Sequence, residues 1–282
     1  MNRDKDQFSI RRILVALDAS PFSRRTAQAA ADLAAEFGAE LVGLFVEDVN
    51  LLNLAGLPLA REISPFSSAM RQLSRERLQR AFRSQSEAAK GTLAAAAASR
   101  NVPWTFRVVR GAVTSAIIAE ASAADLMILG RMTWPQGGFR RLGSTVRVVL
   151  QESRGVTMVL HEEISLSVPI TLVVDGSPLG EKALEVAIRL SKMRELSPYI
   201  LILAQDKDSA YRLQESVQEQ LAKEGLSGRF RTLVKPSLAS LTWWLETEAR
   251  GPVVLPCSGE LLQGEALCTL VDRISNPVVL VR

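Results

Sequence analysis

The chain has 282 residues, 47% hydrophobic and 23% charged, a composition typical of a globular protein with room for two ordinary domains. Its net charge is only +4, divided into +7 for residues 1–161 and −3 for residues 162–282, so we expect no nucleic-acid binding. No apolar run reaches the roughly 20 residues of a membrane-spanning helix, and the charged start MNRDKDQFSIRR does not resemble a secretory signal, so we expect a cytoplasmic protein without a membrane span.

The first predicted element is a β-strand over residues 12–17, which is followed by the turn ALDASP and a helix. Ser20 is a suitable N-cap, and Pro21 occupies the first helical position, where a missing N–H costs little. The helical spacing of the next small residues predicts one buried helix face, made of Ala27, Ala30, Ala31 and Ala34.

Four further apolar runs complete the first half, with strands predicted over residues 41–46, 104–109, 125–129 and 156–160. Between the first two of these runs lies a long segment, residues 48–83. It includes MRQLSRERLQRAFR, which is compatible with a helix and contains five arginines. This stretch is either a solvated helix face or a docking arm for an anionic partner or for the rest of the chain.

After the fourth strand comes the loop GRMTWPQGGFRRLGST, residues 130–145. Gly130 lets the chain leave the strand without a Cβ, and Gly143, Ser144 and Thr145 open a helix whose free N–H groups attract phosphate. Arg140 and Arg141 add positive charge within reach of phosphate oxygens. Trp134 and Pro135 argue against binding, since one could block the site and the other has no N–H; a purely structural loop therefore stays open.

The second half repeats the first. Strands are predicted over residues 169–174, 199–204, 229–234, 252–255 and 277–281, and the turn DGSP after the first of them matches DASP, with Ser177 as N-cap and Pro178 at the first helical position. Apolar strands separated by helices indicate a parallel sheet covered on both faces. The sequence therefore predicts an α/β protein with two tandem doubly wound domains, residues 1–161 and 168–282, each with a mostly parallel five-stranded sheet.

The second phosphate loop is expected to be degenerate. Pro256 corresponds to Gly130, Gly259 to Thr133 and Gly264 to Gly143, so the loop is five residues shorter. Glu260 and Glu265 would place negative charge beside a phosphate, and Asp175 alone does not make a site. The last strand of each half, VTMVLH and PVVLVR, has an exposed edge, and the two could pair within the chain.

These motifs resemble the universal stress protein family in its tandem form, over nearly the whole chain. ATP-binding members carry Gly, two residues, Gly, nine residues, Gly and Ser or Thr after strand 4; here Gly130, Gly143 and Ser144 match, whereas Thr133 replaces the second glycine. The resemblance implies that Asp18 and Val46 line the base pocket, and that the loop holds ribose and phosphates. It also implies that the two domains pack through their last strands as a pseudo-two-fold pair.

The resemblance thus implies an ATP or AMP site, with Mg²⁺ as an optional companion, at Ala16, Asp18, Ser20, Val46, Gly130, Thr133, Gly143, Ser144 and Thr145. The expected function is a stress-response regulator that binds a nucleotide and acts through an unknown protein partner, with a homodimer left open. The alternative is a scaffold of the same fold with both sites lost. We expect no enzyme: an adenylating enzyme would need a Ser-Gly-Gly-rich turn or paired histidines, although slow ATP hydrolysis stays open.

The remaining reactive residues are few. Cys257 and Cys268 are interpreted as reduced thiols without a chemical role, with redox sensing by Cys257 as the alternative. The single histidine, His161, ends a predicted strand and is expected to have no chemical role, because a lone histidine needs partners to act as a base.

Overall fold

The computed structural model describes residues 9–57, 61–63, 70–131, 142–161 and 168–282. Contacts divide these residues into two compact units, one over residues 11–124 and the other over residues 125–282 together with Ser9 and Ile10. Each unit is described by itself.

The first unit contains the start of the first half. Its elements are β1 (Arg12–Ala16), α1 (Pro21–Phe37), β2 (Glu40–Asp48), α2 (Val49–Leu54), β3 (Arg61–Ile63), β4 (Met70–Gln72), α3 (Arg75–Arg100), β5 (Trp104–Gly111) and α4 (Val113–Ala121). Strand β2 lies between β1 and β5, and it pairs with both in parallel. Helices α1 and α3 pack against each other, while α4 contacts the strands, so the centres of β1 and β2 are buried on successive residues.

The long segment between β2 and β5 differs in part from its prediction. Met70–Gln72 form a short strand that pairs with Arg61–Ile63 in antiparallel orientation, and the helix begins only at Arg75. Ser74 explains this start, because its hydroxyl accepts a hydrogen bond from the Arg77 N–H at 3.4 Å and so caps the helix. The helix predicted over MRQLSRERLQRAFR was therefore wrong for its first residues, while the docking role stays a prediction.

The second unit contains the end of the first half and all of the second. Its elements are β6 (Leu126–Gly130), α5 (Ser144–Glu152), β7 (Val156–Leu160), β8 (Thr171–Val174), α6 (Pro178–Met193), β9 (Tyr199–Ala204), α7 (Lys207–Lys223), β10 (Arg229–Val234), α8 (Leu238–Glu248), β11 (Val253–Pro256), α9 (Gly264–Arg273) and β12 (Val278–Val281). All ten predicted strands are present, each within two residues of its predicted bounds, and helices alternate with them, which confirms the α/β class.

Strand order in this unit is β10-β9-β8-β11-β12-β7-β6. Neighbours pair in parallel throughout, except that β12 pairs with β7 in antiparallel orientation, with Val278 opposite Val159 and Val281 opposite Val156. The last strands of the two halves therefore meet, as the sequence predicted, and each covers the edge of the other. The pseudo-two-fold relation beyond this pairing stays a prediction.

This pairing also explains why the compact units do not follow the predicted domains. Side chains from α5 and β7 share one core cluster with α8, β11, α9 and β12; Leu150, Trp244 and Leu270 are examples. Contacts therefore tie the end of the first half to the second half, and the boundary between the compact units falls near residue 124. The domain boundary predicted between residues 161 and 168 stays a prediction.

Candidate functional site

The turn between β1 and α1 carries three of the predicted site residues. Ala16 is the last residue of β1, and the Asp18 Oδ1 accepts hydrogen bonds from the Ser20 N–H at 2.9 Å and from the Ser23 hydroxyl at 2.6 Å. The Asp18 N–H in turn donates to the Ser23 Oγ at 2.9 Å. The aspartate therefore fixes the shape of the turn through one oxygen.

Ser20 is the N-cap residue of α1, as predicted, but its side chain does not cap the helix. Within the part of the chain that the structure describes, its Oγ is a buried polar atom without a hydrogen-bond partner. The corresponding Ser177 accepts a hydrogen bond from the Gly180 N–H at 3.0 Å and so does cap α6. Because an unsatisfied buried hydroxyl costs free energy, the Ser20 Oγ is a candidate ligand contact.

Val46 lies in β2 beside this turn. The register pairs Ala16 with Leu44, and the Leu17 N–H donates to the Leu44 carbonyl at 2.9 Å, so half-buried Val46 is two residues further along the same strand. The first unit therefore brings Ala16, Asp18, Ser20 and Val46 together at the carboxyl ends of β1 and β2. Ligands of open parallel sheets bind at such ends.

The remaining described site residues belong to the second unit. Gly130 is the last residue of β6, and Gly143 is the N-cap of α5, followed by Ser144 and Thr145 as its first two residues. Within the described part of the chain, this helix start has no side-chain cap hydrogen bond, and its first turn contains no acidic residue. Its N–H groups can therefore bind an anion. Thr133 lies outside the described residues, as do Trp134 and Pro135.

Arg131, which follows Gly130 directly, was missed by the sequence prediction. Its side chain is only 3% exposed. The guanidinium donates to the His161 Nε2 at 2.5 Å, to the Ile274 carbonyl at 3.0 Å, and to both the carbonyl and the Oδ1 of Asp272, the latter at 3.1 Å. Arg131 thus caps the carboxyl end of α9 and gives His161 a structural role as acceptor.

A second arginine performs the reciprocal task. The Arg282 guanidinium donates to the Gln151 carbonyl at 2.6 Å and to the Leu150 carbonyl, both at the carboxyl end of α5. Each half therefore caps the other half's last helix with an arginine that directly follows a core strand, Arg131 after β6 and Arg282 after β12. Sequence carried no signal for this exchange, because both residues read as ordinary strand-end cations.

The second half has a cleft of about 540 Å³ at the carboxyl ends of β8 and β9. Its carboxylates are Asp175, Asp206 and Glu260, and among the described residues no lysine or arginine lines it. The Asp175 Oδ1 accepts from the Ser177 hydroxyl at 2.6 Å, and its Oδ2 accepts from the Ser258 hydroxyl. The aspartate is therefore bonded to the loop after β11, and the negative lining disfavours a phosphate.

Glu260 and Glu265, the two glutamates predicted to repel a phosphate, have different surroundings in the structure. Glu260 lines the cleft, as expected. Glu265 instead binds α5, accepting from the Arg147 Nη1 at 2.6 Å and from the Gln151 amide at 3.1 Å. It also lies in the first turn of α9. A negative charge there interacts favourably with the helix dipole and repels a second anion at the same helix start.

Both cysteines are free and buried. Burial raises the pKa of the Cys257 thiol, against the smaller opposing effect of Arg282, and burial likewise raises the pKa of the Cys268 thiol. Neither environment favours a reactive thiolate. Among the described residues, no group of three histidine, cysteine or acidic side chains could hold a metal ion. The described helices are all too short or too polar to cross a membrane.

The doubly wound α/β fold, with helix starts directly after the carboxyl ends of its strands, defines the class of open parallel-sheet proteins, whose ligands bind at such strand ends. A sequence profile of the Universal stress protein family matches residues 9–161, more than half of the chain. The chain belongs to this family. No curated protein sequence matches it.

Solved structures share the fold. A universal stress protein from Archaeoglobus fulgidus DSM 4304 superimposes with a TM-score of 0.74 at 17% identity, covering 96% of this chain and 98% of that one. A functionally unknown protein from Pseudomonas aeruginosa PAO1 gives 0.63 at 13% identity, covering 98% and 93%. The cytoplasmic domain of a prokaryotic cation chloride cotransporter gives 0.54 at 12% identity, covering 96% and 95%.

Proposed function

We propose that the protein binds an adenine nucleotide, ATP or AMP, through its first half and regulates a protein partner in the stress response. The observation that carries this proposal is the contrast between two helix starts. The first turn of α5 has neither an acidic residue nor a side-chain cap, whereas the first turn of α9 contains Glu265. A phosphate is attracted by the first arrangement and repelled by the second.

The proposed roles follow the family resemblance. Gly143, Ser144 and Thr145 would donate N–H and hydroxyl groups to phosphate oxygens, with Gly130 and Thr133 at the other end of the loop. Asp18 and Val46 would contact the base, with Ala16 and the unsatisfied Ser20 hydroxyl beside them. Mg²⁺ would accompany ATP through phosphate oxygens and Ser144, because Mg²⁺ prefers oxygen ligands.

The second half is proposed to bind no nucleotide. Its cleft contains three carboxylates, and both oxygens of Asp175 already accept hydrogen bonds from serines. We further propose binding without turnover, in the cytoplasm, where the two free thiols stay reduced. A homodimer is compatible with this function but is not required by it.

Isothermal titration calorimetry with ATP and AMP tests the proposal. The test variant is Gly143→Glu, which adds a negative charge at the N-cap of α5, and the matched control is Gln263→Glu, which adds the same charge at the N-cap of α9. A charge at about 6 Å from a phosphate costs about 3 kcal/mol at an effective dielectric constant of 20, and solvent screening reduces this. We therefore expect at least about tenfold weaker ATP binding for Gly143→Glu.

The control variant Gln263→Glu should bind ATP as tightly as the parent does. It thereby separates a local effect of the added charge at the α5 start from a general effect of one more negative charge. Equal losses in both variants would show that the charge acts at long range and not at the α5 start. A parent protein that binds neither ATP nor AMP would reject the nucleotide proposal and leave the scaffold function, to be pursued through protein partners.

A further inference from the structure

One carboxylate from the second half bonds to both ends of the loop between β6 and α5. The Asp272 Oδ1 accepts a hydrogen bond from the Leu142 N–H at 2.7 Å and another from the Arg131 guanidinium at 3.1 Å. Leu142 directly precedes Gly143, the N-cap of α5, and Arg131 directly follows Gly130. Asp272 therefore links the residues that flank the two glycine ends of the loop.

Asp272 belongs to a connected hydrogen-bond network. The buried Arg131 guanidinium also donates to the carbonyls of Asp272 and Ile274, so the carboxylate, its cation and the end of α9 form one connected network. Such a charge-assisted bond to a backbone N–H restricts the peptide plane that precedes Leu142, the residue before the N-cap of α5. The direction of the first free N–H groups of α5 depends on that plane.

The position of Asp272 is unfavourable for α9 alone. It is the penultimate residue of the helix, where the partial negative charge of the helix end repels a carboxylate. Its favourable contacts are made by Arg131 and Leu142, which both belong to the first half. The carboxylate therefore serves the loop ends and not its own helix.

We infer that Asp272 is a positioning residue for the nucleotide site, through which the second half sets the nucleotide affinity of the first half. The inference rests on the proposed function. Asp272 does not touch the nucleotide in this scheme; it orients Leu142 and Gly143 so that the α5 N–H groups converge on a phosphate. In this scheme the second half binds no nucleotide itself, and its role is to position the nucleotide-binding loop of the first half.

The test compares ATP affinity with stability in the full chain. Asp272→Ala removes the acceptor, and Asp272→Asn keeps an oxygen at the same place. A double variant, Arg131→Met with Asp272→Leu, removes the buried cation together with the carboxylate, so neither charge is left without its partner, and the Leu142 N–H loses its acceptor. Glu265→Ala is the matched control, because it breaks an ion pair between α9 and α5 at an exposed site.

Two measurements are made on each variant: ATP dissociation constants by calorimetry, and hydrogen–deuterium exchange of the peptide containing Leu142. We expect the ATP dissociation constant to rise at least about tenfold in Asp272→Ala and in the double variant, because each loses one charge-assisted hydrogen bond. Hydrogen–deuterium exchange at Leu142 should become faster in the same variants. Asp272→Asn should bind within about threefold of the parent, and Glu265→Ala should be unchanged.

The outcomes distinguish the two proposals. If the parent binds ATP and the double variant binds it equally well, Asp272 has no positioning role, and the proposed function stands. If Glu265→Ala weakens binding as much as Asp272→Ala, general loosening of the α5–α9 contact accounts for the loss and the inference falls. If the parent itself binds no ATP, the proposed function fails, and the inference fails with it.

Discussion

Replacing Arg131 by alanine should destabilise the protein far more than an ordinary arginine substitution. The guanidinium is almost completely buried, and it satisfies the Asp272 carboxylate, two carbonyls at the end of α9 and the His161 ring. Removing it takes this donor away from all of these acceptors, and the Asp272 Oδ1 then keeps the hydrogen bond from the Leu142 N–H. Breaking a buried ion pair costs about 3–5 kcal/mol.

The Asp272 side chain is 25% exposed, so water can partly solvate the abandoned carboxylate, and the lower end of this range, about 3 kcal/mol, applies. With about 2–4 °C of Tm per kcal/mol for a chain of this size class, the expected decrease is about 6–12 °C. Differential scanning calorimetry measures it directly, and a second, unshifted transition would be assigned to the unit that does not contain Arg131.

Arg107→Ala is the matched control, because it removes an arginine that is also ion-paired, to Glu120 at 2.5 Å, but 58% exposed. Exposed pairs contribute about 0–1 kcal/mol, so its Tm should fall by no more than about 4 °C. A decrease for Arg131→Ala within that of Arg107→Ala would refute the reasoning, since it would mean that the buried network has no net stabilising effect.

Three further predictions concern other parts of the chain. Gly251→Ala should lower the free energy of unfolding by about 2–3 kcal/mol in urea denaturation, because a Cβ there would lie 2.3 Å from a backbone carbonyl oxygen. Gly91→Ala is the control: it has open space around it in α3 and should be neutral or stabilising. Cys257 should resist hydrogen peroxide and thiol reagents in the folded protein, because burial raises its pKa; rapid loss of the native thiol in a timed count would restore the redox-sensor alternative. Hydrogen bonds from Ser209 hold the pKa of Asp206 below its ordinary 3.8, so the Tm advantage of the parent over Asp206→Ala should be complete at neutral pH and decline as the pH falls below 3.8; a gap independent of pH between 7 and 2 would contradict it.

Much of the fold was predictable because it depends on local and periodic features. Apolar runs of strand length, the repeated turn with Ser20 and Ser177, and the alternation of strands with helices located all ten main strands. The short hairpin after β2 was not predicted, since its two three-residue strands carry too little periodicity to distinguish them from a loop or a helix.

The candidate site was predictable only in part. The helix start at Gly143 and the turn at Asp18 follow from residue types whose backbone and capping preferences are local. Their contacts with a nucleotide stay a prediction. Sequence also placed Glu265 beside a phosphate loop, but its bonds to Arg147 and Gln151 became visible only in the packed α5–α9 pair.

By itself, the sequence determined the α/β class, the repeated turn motif, and the difference in charge between the loops that follow β6 and β11. Propensity, periodicity and Coulomb repulsion act over a few residues and can be read along one strand or helix. Only the tertiary structure decided that Arg131 and Arg282 cap helices of the opposite half and that Asp272 bonds to Leu142. These partners lie more than 100 residues apart, and the antiparallel pairing of β7 with β12 brings them within hydrogen-bonding distance.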